Sequence, residues 1–137
     1  MLIGVKQVRE IKFRAWFGEE HKMIPFDELH IELENGEYTV WYSLDGDSIQ
    51  DGLCVEDFNI MQYTGLKDKN GKEIYEGDIV NYSHPRTDEI IRTVTFKHGA
   101  FGIEGIYEKT HIIFGNILDS HIEVIGNIYE NPELLTV

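Results

Sequence analysis

The chain has 137 residues, enough for one compact core or for two small, closely packed subdomains. Its 25 Asp and Glu against 12 Lys and Arg give a net charge of −13, a field that repels phosphate backbones and makes direct nucleic-acid binding unfavourable. The single cysteine, Cys54, excludes an intramolecular disulfide, and the absence of a signal peptide or a long apolar run favours a cytoplasmic protein with no membrane span.

The first segments predict short antiparallel strands. Apolar and basic residues alternate over Ile11 to Trp16, which is the period of a half-buried strand. Lys22 to Phe26 is expected to pair with that strand across a turn at Phe17 to His21. Pro25 restricts the second strand to a sheet edge or to a strand end, because proline cannot donate a ladder hydrogen bond.

A hairpin is predicted next. Leu29, Ile31 and Leu33 alternate with polar residues, so this strand is expected to turn its apolar face inward. Asn35-Gly36 predicts a tight turn into a second strand, Tyr38 to Ser43.

A loop and a domain boundary follow in the sequence. Leu44 to Gly52 is rich in Asp and Gly and is interpreted as a mobile linker, after which Phe58 to Thr64 resumes strand character. We therefore expect a β-rich N-terminal subdomain over residues 1–65 and a small β-barrel-like subdomain over residues 66–137, packed closely together.

The second half begins with strong turn signals. Asp68-Lys69-Asn70-Gly71 predicts a turn, and Gly77-Asp78 precedes a strand at Ile79 to Tyr82. A turn at His98-Gly99-Ala100 separates two further predicted strands, Ile90 to Lys97 and Phe101 to Tyr107. The core residues predicted for this hairpin are Val94, Phe96, Phe101 and Ile103.

The C-terminal part is more varied. Glu108 to Ser120 fits a short helix or an irregular strand equally well. Ile122 to Tyr129 is apolar on both faces, which is typical of a central strand or of one sealed at an interface. Asn131 as N-cap and Pro132 at the first helical position predict a turn of helix through Leu135. The fold class is therefore mainly β, with α+β as the alternative classification, and the second half is expected to form an SH3-like barrel or a strongly bent antiparallel sheet.

Three segments resemble one known family. The run YTGLKDKNGKEIYEGDIV, Tyr63 to Val80, resembles the hallmark segment of the YopX family, small proteins encoded mostly by phages and prophages of Gram-positive bacteria. Arg9 to Trp16 is similar to the family's opening segment, and Glu123 to Leu135 to its closing one. The resemblance implies a phage origin, a β-rich fold and a tendency toward self-association. It supplies no catalytic, cofactor-binding or metal-binding residue.

The motifs that could indicate a metal or catalytic site are better explained by structural roles. Counted from Asp68 or from Asp45, the acidic turns lack the Gly at the sixth position that an EF-hand requires. The histidines show no metal-ligand spacing, so we expect no metal site; they are His21, His30, His84, His98, His111 and His121. Cys54 is interpreted as a small apolar residue.

Two surface hypotheses remain beside their simpler alternatives. A stacking platform for single-stranded nucleic acid is less favoured than core packing for Trp16, Trp41, Tyr42, Tyr63, Tyr75 and Tyr82. The main concentration of basic charge, broken up by acidic residues, is Lys67, Lys69, Lys72, Arg86 and Arg92. From Asp27 to Asp57 the chain has ten carboxylates and no Lys or Arg, which fits a DNA mimic or, preferably, a solvated acidic face.

The favoured function is binding rather than catalysis. We expect a non-enzymatic protein without a cofactor that assembles with itself and binds a host or phage protein through a sheet edge or the barrel's loops. The two-faced strand Ile122 to Tyr129 motivates the self-assembly. The alternatives are an acidic DNA mimic or nucleic-acid-linked regulator, and an enzyme of unrecognised type.

Overall fold

The computed structural model describes residues 10–42, 53–54, 58–83, 88–104, 111–114 and 121–135. In these ranges the protein forms twelve strands, all paired antiparallel. They are β1 Phe13–Phe17, β2 Lys22–Ile24, β3 Leu29–Glu34, β4 Glu37–Tyr42, β5 Leu53–Cys54, β6 Phe58–Lys67, β7 Glu73–Tyr75, β8 Asp78–Tyr82, β9 Ile90–Lys97, β10 Ala100–Glu104, β11 His111–Ile113 and β12 Ile122–Asn127. Short 3₁₀ helices form at Phe26–Glu28 and Pro132–Leu135. The predicted mainly-β class is confirmed.

The strands form three sheets. The first sheet has the order β2-β1-β6-β7, the hairpin sheet β3-β4-β5, and the second sheet β11-β10-β9-β8-β12. The strands curl into an antiparallel half-barrel. As expected from Pro25, β2 lies at a sheet edge and ends at Ile24.

Two predicted hairpins close with the same backbone geometry. Asn35 and Gly36 have φ of 53° and 80° between β3 and β4, and His98 and Gly99 have φ of 53° and 78° between β9 and β10. Two successive residues at positive φ match the right-handed twist of the flanking strands. Ala100, predicted as part of the second turn, is the first residue of β10.

Two apolar clusters fill the interior. The first is made by the first sheet and the hairpin sheet and contains Ala15, Phe17, Ile24, Val40, Tyr42 and Phe58. The second lies mostly within the second sheet and contains Ile74, Val80, Val94, Ile103, Phe114, Ile122 and Val124.

The predicted boundary between residues 65 and 66 falls within a strand. β6 pairs with β1 over its first half and with β7 over its second, with a register shift between Tyr63 and Lys67. Gly65, at φ 89°, lies in this irregularity, which bends the strand from the first cluster toward the second. The division into two subdomains stays a prediction, and the linker over residues 44–52 lies outside the described residues.

For β12, the first of the two predicted placements is wrong. It is not a central strand, because it lies at the edge of the second sheet beside β8. The turn between β6 and β7 covers its outer side: the Lys69 N–H donates to the Ile122 carbonyl at 3.0 Å, and the Val124 N–H donates to Asp68 Oδ2 at 2.9 Å. The apolar strand is therefore sealed by its own chain.

One residue assignment needs correction and a second is only partly tested. Phe96 is not a core residue, because it lies beyond the second cluster near the β9–β10 turn, with 52% of its surface exposed, and contacts Phe101 edge-on. Asn131 precedes a helical turn as predicted, and its side chain also accepts the Asn127 N–H at 3.2 Å.

Two uncertain segments are partly described. In the segment 108–120, residues 111–113 form β11, so the described part is a strand. The strand predicted over 101–107 is described to Glu104, and its last three residues lie outside the description.

Candidate functional site

An apolar groove opens where the hairpin sheet meets the first sheet. β1 and β6 supply two of its residues, the 3₁₀ helix one, and the hairpin of β3 and β4 three. The cavity has a volume of about 510 Å³. The groove is lined by Phe13, Phe26, Leu29, Ile31, Tyr38 and Ile60.

The groove exists because the hairpin is longer than the core that it covers. The register pairs Leu29 with Tyr42, Ile31 with Val40 and Leu33 with Tyr38, so all six lie on one face of the hairpin. At the base of this face Val40 and Tyr42 are buried in the first cluster.

Toward the hairpin turn, the core no longer covers the side chains on this face. Ile31 is 37% exposed, Tyr38 53% and Leu33 62%. The expectation that this face points inward is therefore wrong for Ile31 and Leu33. Alternation shows which face of a strand is apolar, but it does not show how far the core extends along it.

Exposed apolar side chains are concentrated around this groove. Phe26, 43% exposed, stands at its mouth on the 3₁₀ helix that follows Pro25. Contiguous exposed apolar surface of this kind marks interaction sites in soluble proteins. The groove is therefore the candidate functional site.

Acidic residues lie next to Phe26 at the groove and on the back of the hairpin that lines it. Asp27 and Glu28 follow Phe26 directly in the 3₁₀ helix. Glu32, Glu34 and Glu37 are exposed on the β3–β4 hairpin, and the two glutamates of β3 occupy the face opposite to Ile31. These five carboxylates are the described part of the acidic block, which has no Lys or Arg to neutralise them.

The hallmark segment contributes two buried carboxylates, and the first is Asp68. Its side chain is an acceptor for the backbone N–H groups of Asn70, Lys72 and Val124, each at 2.9 Å. Burial alone would raise the pKa of Asp68, but these three donors outweigh it and hold the pKa below its ordinary value. The carboxylate is fully used in closing the turn and attaching it to β12.

The second buried carboxylate, Asp78, is paired with Arg14. Arg14 Nη2 donates to Asp78 Oδ1 at 2.7 Å, and the Tyr75 N–H donates to Oδ2 at 2.7 Å. Burial raises the pKa of Asp78, and the guanidinium and the Tyr75 amide oppose that rise. The guanidinium also lies 4.7 Å from the centre of the Tyr75 ring.

A second ion pair lies beside this one. Lys12 Nζ donates to Glu73 Oε2 at 2.6 Å, and this bond raises the pKa of Lys12. Burial raises the pKa of Tyr63 and of Tyr75, whose rings are 5.4 Å apart. These groups link β1 to β7 and β8, so their role is structural.

The remaining candidate residues do not converge on a site. His21 and His98 occupy turns at positive φ, His30 is exposed on β3, and His121 packs edge-on against Tyr82. His84 and the side chains of His111 and Cys54 lie outside the described residues. No group of three or more potential metal ligands forms among the side chains that are described.

The aromatic residues proposed as a stacking platform are mostly interior. Trp16, Tyr42, Tyr63 and Tyr75 are each less than a tenth exposed, and Tyr129 stacks on Trp16 at 5.7 Å. Among the basic residues, Lys69 pairs with Glu123 at 3.2 Å, whereas Arg86 lies outside the description. No helix in the described ranges is long and apolar enough to cross a membrane.

Comparison with known proteins agrees with the hallmark segment. The sequence model of the YopX protein family matches residues 12–136. The chain belongs to the YopX family. No curated protein matches it.

Two solved structures are similar to this chain over most of its length. Protein yopX from Bacillus subtilis is 27% identical, with a TM-score of 0.66, and the match covers 90% of this chain and 97% of that one. Protein EF1440 from Enterococcus faecalis is 29% identical, with a TM-score of 0.59, over 93% and 99% of the two chains.

The groove lies outside the YopX hallmark. None of its lining residues falls within Tyr63 to Val80, whereas both buried carboxylates do. The hallmark thus explains how this YopX-family chain folds. The sequence indicated the groove only through the acidic block, which marked the same hairpin by its charge.

Proposed function

We propose that the protein is a non-enzymatic protein-binding module whose apolar groove takes apolar side chains of a partner that also carries Lys or Arg. The observation that supports this most is the exposure of Phe26, Ile31 and Tyr38 around a groove of about 510 Å³. Covering such surface with a partner's apolar side chains releases ordered water and gives favourable binding.

The carboxylates near the groove determine which partners can bind there. Carboxylates on the 3₁₀ helix and on β3 and β4 attract cationic groups and repel anionic ones, which raises the association rate and rejects acidic partners. A DNA mimic would present carboxylates without an apolar centre. The exposed apolar side chains beside the acidic residues therefore favour a protein partner over the DNA-mimic alternative.

Self-association remains part of the proposal, but it would use a different surface from the strand that first suggested it. The apolar strand that motivated it is β12, whose outer side is sealed by Asp68 and Lys69. A second copy would have to use another surface, such as the apolar groove. Size-exclusion chromatography with light scattering at micromolar concentration tests this: a monomer contradicts self-association.

Selection from a random-peptide library displayed on phage tests the proposed function. The enriched peptides should combine apolar residues with Lys or Arg and should bind Ile31→Asp much more weakly than wild type. Ile91→Asp is the matched control, because Ile91 on β9 is 39% exposed and Ile31 is 37% exposed. Enriched peptides that bind both variants equally well would refute the groove as the binding site.

A further inference from the structure

We infer that the partner of the groove is an extended segment that adds as a strand to the free edge of β3, with apolar and basic side chains in alternation. This inference rests on the proposed function and names the form of its partner. It is carried by the backbone of β3, by the charges on its two faces and by the position of the groove beside it.

The outer edge of β3 offers unpaired backbone groups. β3 is the first strand of the sheet order β3-β4-β5, with no strand beyond it among the described residues. The two-residue turn makes Glu34 and Glu37 a hydrogen-bonded pair, so the alternate pairs, at Leu33 and Ile31, are not hydrogen-bonded to β4. Their N–H and C=O groups therefore point outward.

The outward N–H and C=O groups of β3 offer hydrogen bonds to an added strand along most of its length. The Leu29 N–H already donates to the Phe26 carbonyl, so the available edge begins after Leu29 and runs toward the hairpin turn. The five residues that remain of the six in this strand contain no proline and give a continuous template, which is the arrangement used by proteins that bind extended peptides.

The side chains of β3 determine which sequence fits. Residues of an added strand alternate between the two faces of the sheet. On one face they would lie beside Ile31 and Leu33 and extend the groove, which favours apolar residues. On the other they would lie beside His30, Glu32 and Glu34, which favours Lys or Arg.

The same charges disfavour a second copy on this edge. If β3 paired antiparallel with β3 of another molecule, the glutamates of the two strands would lie on the same face and oppose one another. Like charges directly opposite in a sheet are destabilising. The edge therefore fits a strand of opposite charge.

A synthetic peptide of alternating valine and lysine, long enough to pair with the six residues of β3, tests the sequence requirement. Its controls are a peptide of the same composition with the lysines in one block, and one with glutamate in place of lysine. The alternating cationic peptide should bind at least about tenfold more tightly than either. Equal binding of the block peptide would overturn strand addition.

A pair of variants tests the backbone bonds. Leu33→Pro removes an outward N–H that β4 does not use, and Leu33→Ala removes the side chain alone; Leu33 does not line the groove. Leu33→Pro should weaken binding of the alternating peptide by about tenfold relative to Leu33→Ala. Because a proline in a strand can also disturb folding, the same peptide N-methylated on the edge that faces β3 supplies a second test on the unaltered protein.

The outcomes separate the two proposals. Strand addition is overturned if Leu33→Pro matches Leu33→Ala and the methylated peptide binds like the unmethylated one. If Ile31→Asp still binds the selected peptides more weakly than Ile91→Asp, the proposed function survives that result. If these two aspartate variants bind equally, the proposed function itself fails.

Discussion

The carboxylate of Asp68 accepts the backbone N–H of Val124 at 2.9 Å, although the two residues are 56 positions apart in the chain. Its other hydrogen bonds are local and shape the turn between β6 and β7. One side chain thus sets the turn and attaches it to the edge of the second sheet. It covers the outer side of β12, whereas no strand pairs with the outer side of β3 among the described residues.

Asp68→Asn should destabilise the protein. The amide keeps the shape of the side chain but lacks the charge and one of the two acceptor oxygens, so at least one buried N–H loses its partner. We expect the free energy of unfolding to fall by about 1.5–3 kcal/mol, measured by urea denaturation. Asp88→Asn, at an exposed position, should change it by less than about 0.5 kcal/mol. Equal effects of the two substitutions would contradict the role given to Asp68.

The stabilisation by Asp68 should depend on pH. Its pKa is lower in the folded protein than the ordinary value of about 3.9 expected in the unfolded chain. The carboxylate therefore stabilises the fold above that ordinary value, and the stabilisation is lost as the pH falls through the folded pKa. The difference in unfolding free energy between wild type and Asp68→Asn should be constant near neutral pH and shrink below about pH 4. A difference that grows on acidification would contradict this sign.

Arg14 and Asp78 should be strongly coupled. Arg14→Met leaves a buried carboxylate without its cation, and Asp78→Asn leaves a buried cation without its anion, so each should cost about 3–5 kcal/mol. The double variant should cost less than the sum, with a coupling energy of about 1–3 kcal/mol by denaturation.

A matched exposed ion pair provides the control for that cycle. Lys97 and Glu104 approach to 2.6 Å, but their side chains are 46% and 33% exposed. Their coupling should stay below about 1 kcal/mol. If both pairs gave the same coupling, burial would not be the reason for the strength of the Arg14–Asp78 pair.

Gly126 should not accept a side chain. A Cβ built there would lie 2.6 Å from Asn131 Oδ1 and 2.8 Å from its Cγ, and Asn131 is held by the Asn127 N–H. Gly126→Ala should therefore cost about 1–3 kcal/mol through overpacking, seen as a lower Tm. In Gly18→Ala the nearest neighbouring atom is 3.8 Å away, so the Tm should be nearly unchanged. Similar shifts in both variants would show that close packing at Gly126 is unimportant.

Local signals in the sequence predicted much of the fold. Asn35-Gly36 and His98-Gly99 close hairpins where the turn chemistry indicated, since two residues determine such a turn. Asp68 was recognised as a turn residue, but its bond to Val124 was not predictable because it depends on how distant segments pack. The edge position of β12 follows from that packing as well.

The sequence predicts less of the groove than of the fold. Strand alternation placed Ile31 and Leu33 on one face, and the structure confirms that they share it. Whether that face is buried depends on how far the hairpin extends beyond the first cluster, a tertiary property. Phe96 was misassigned for the same reason, since it continues the face of Val94 past the end of the second cluster.

Methyl NMR of isoleucine-labelled protein is the most direct test of the groove as a binding site. On titration with a peptide selected from the random library, the Ile31 and Ile60 methyl signals should shift, because both side chains line the groove. The Ile91 and Ile103 signals, from the second sheet, should stay in place. Shifts confined to the second sheet, with Ile31 and Ile60 unchanged, would contradict the account.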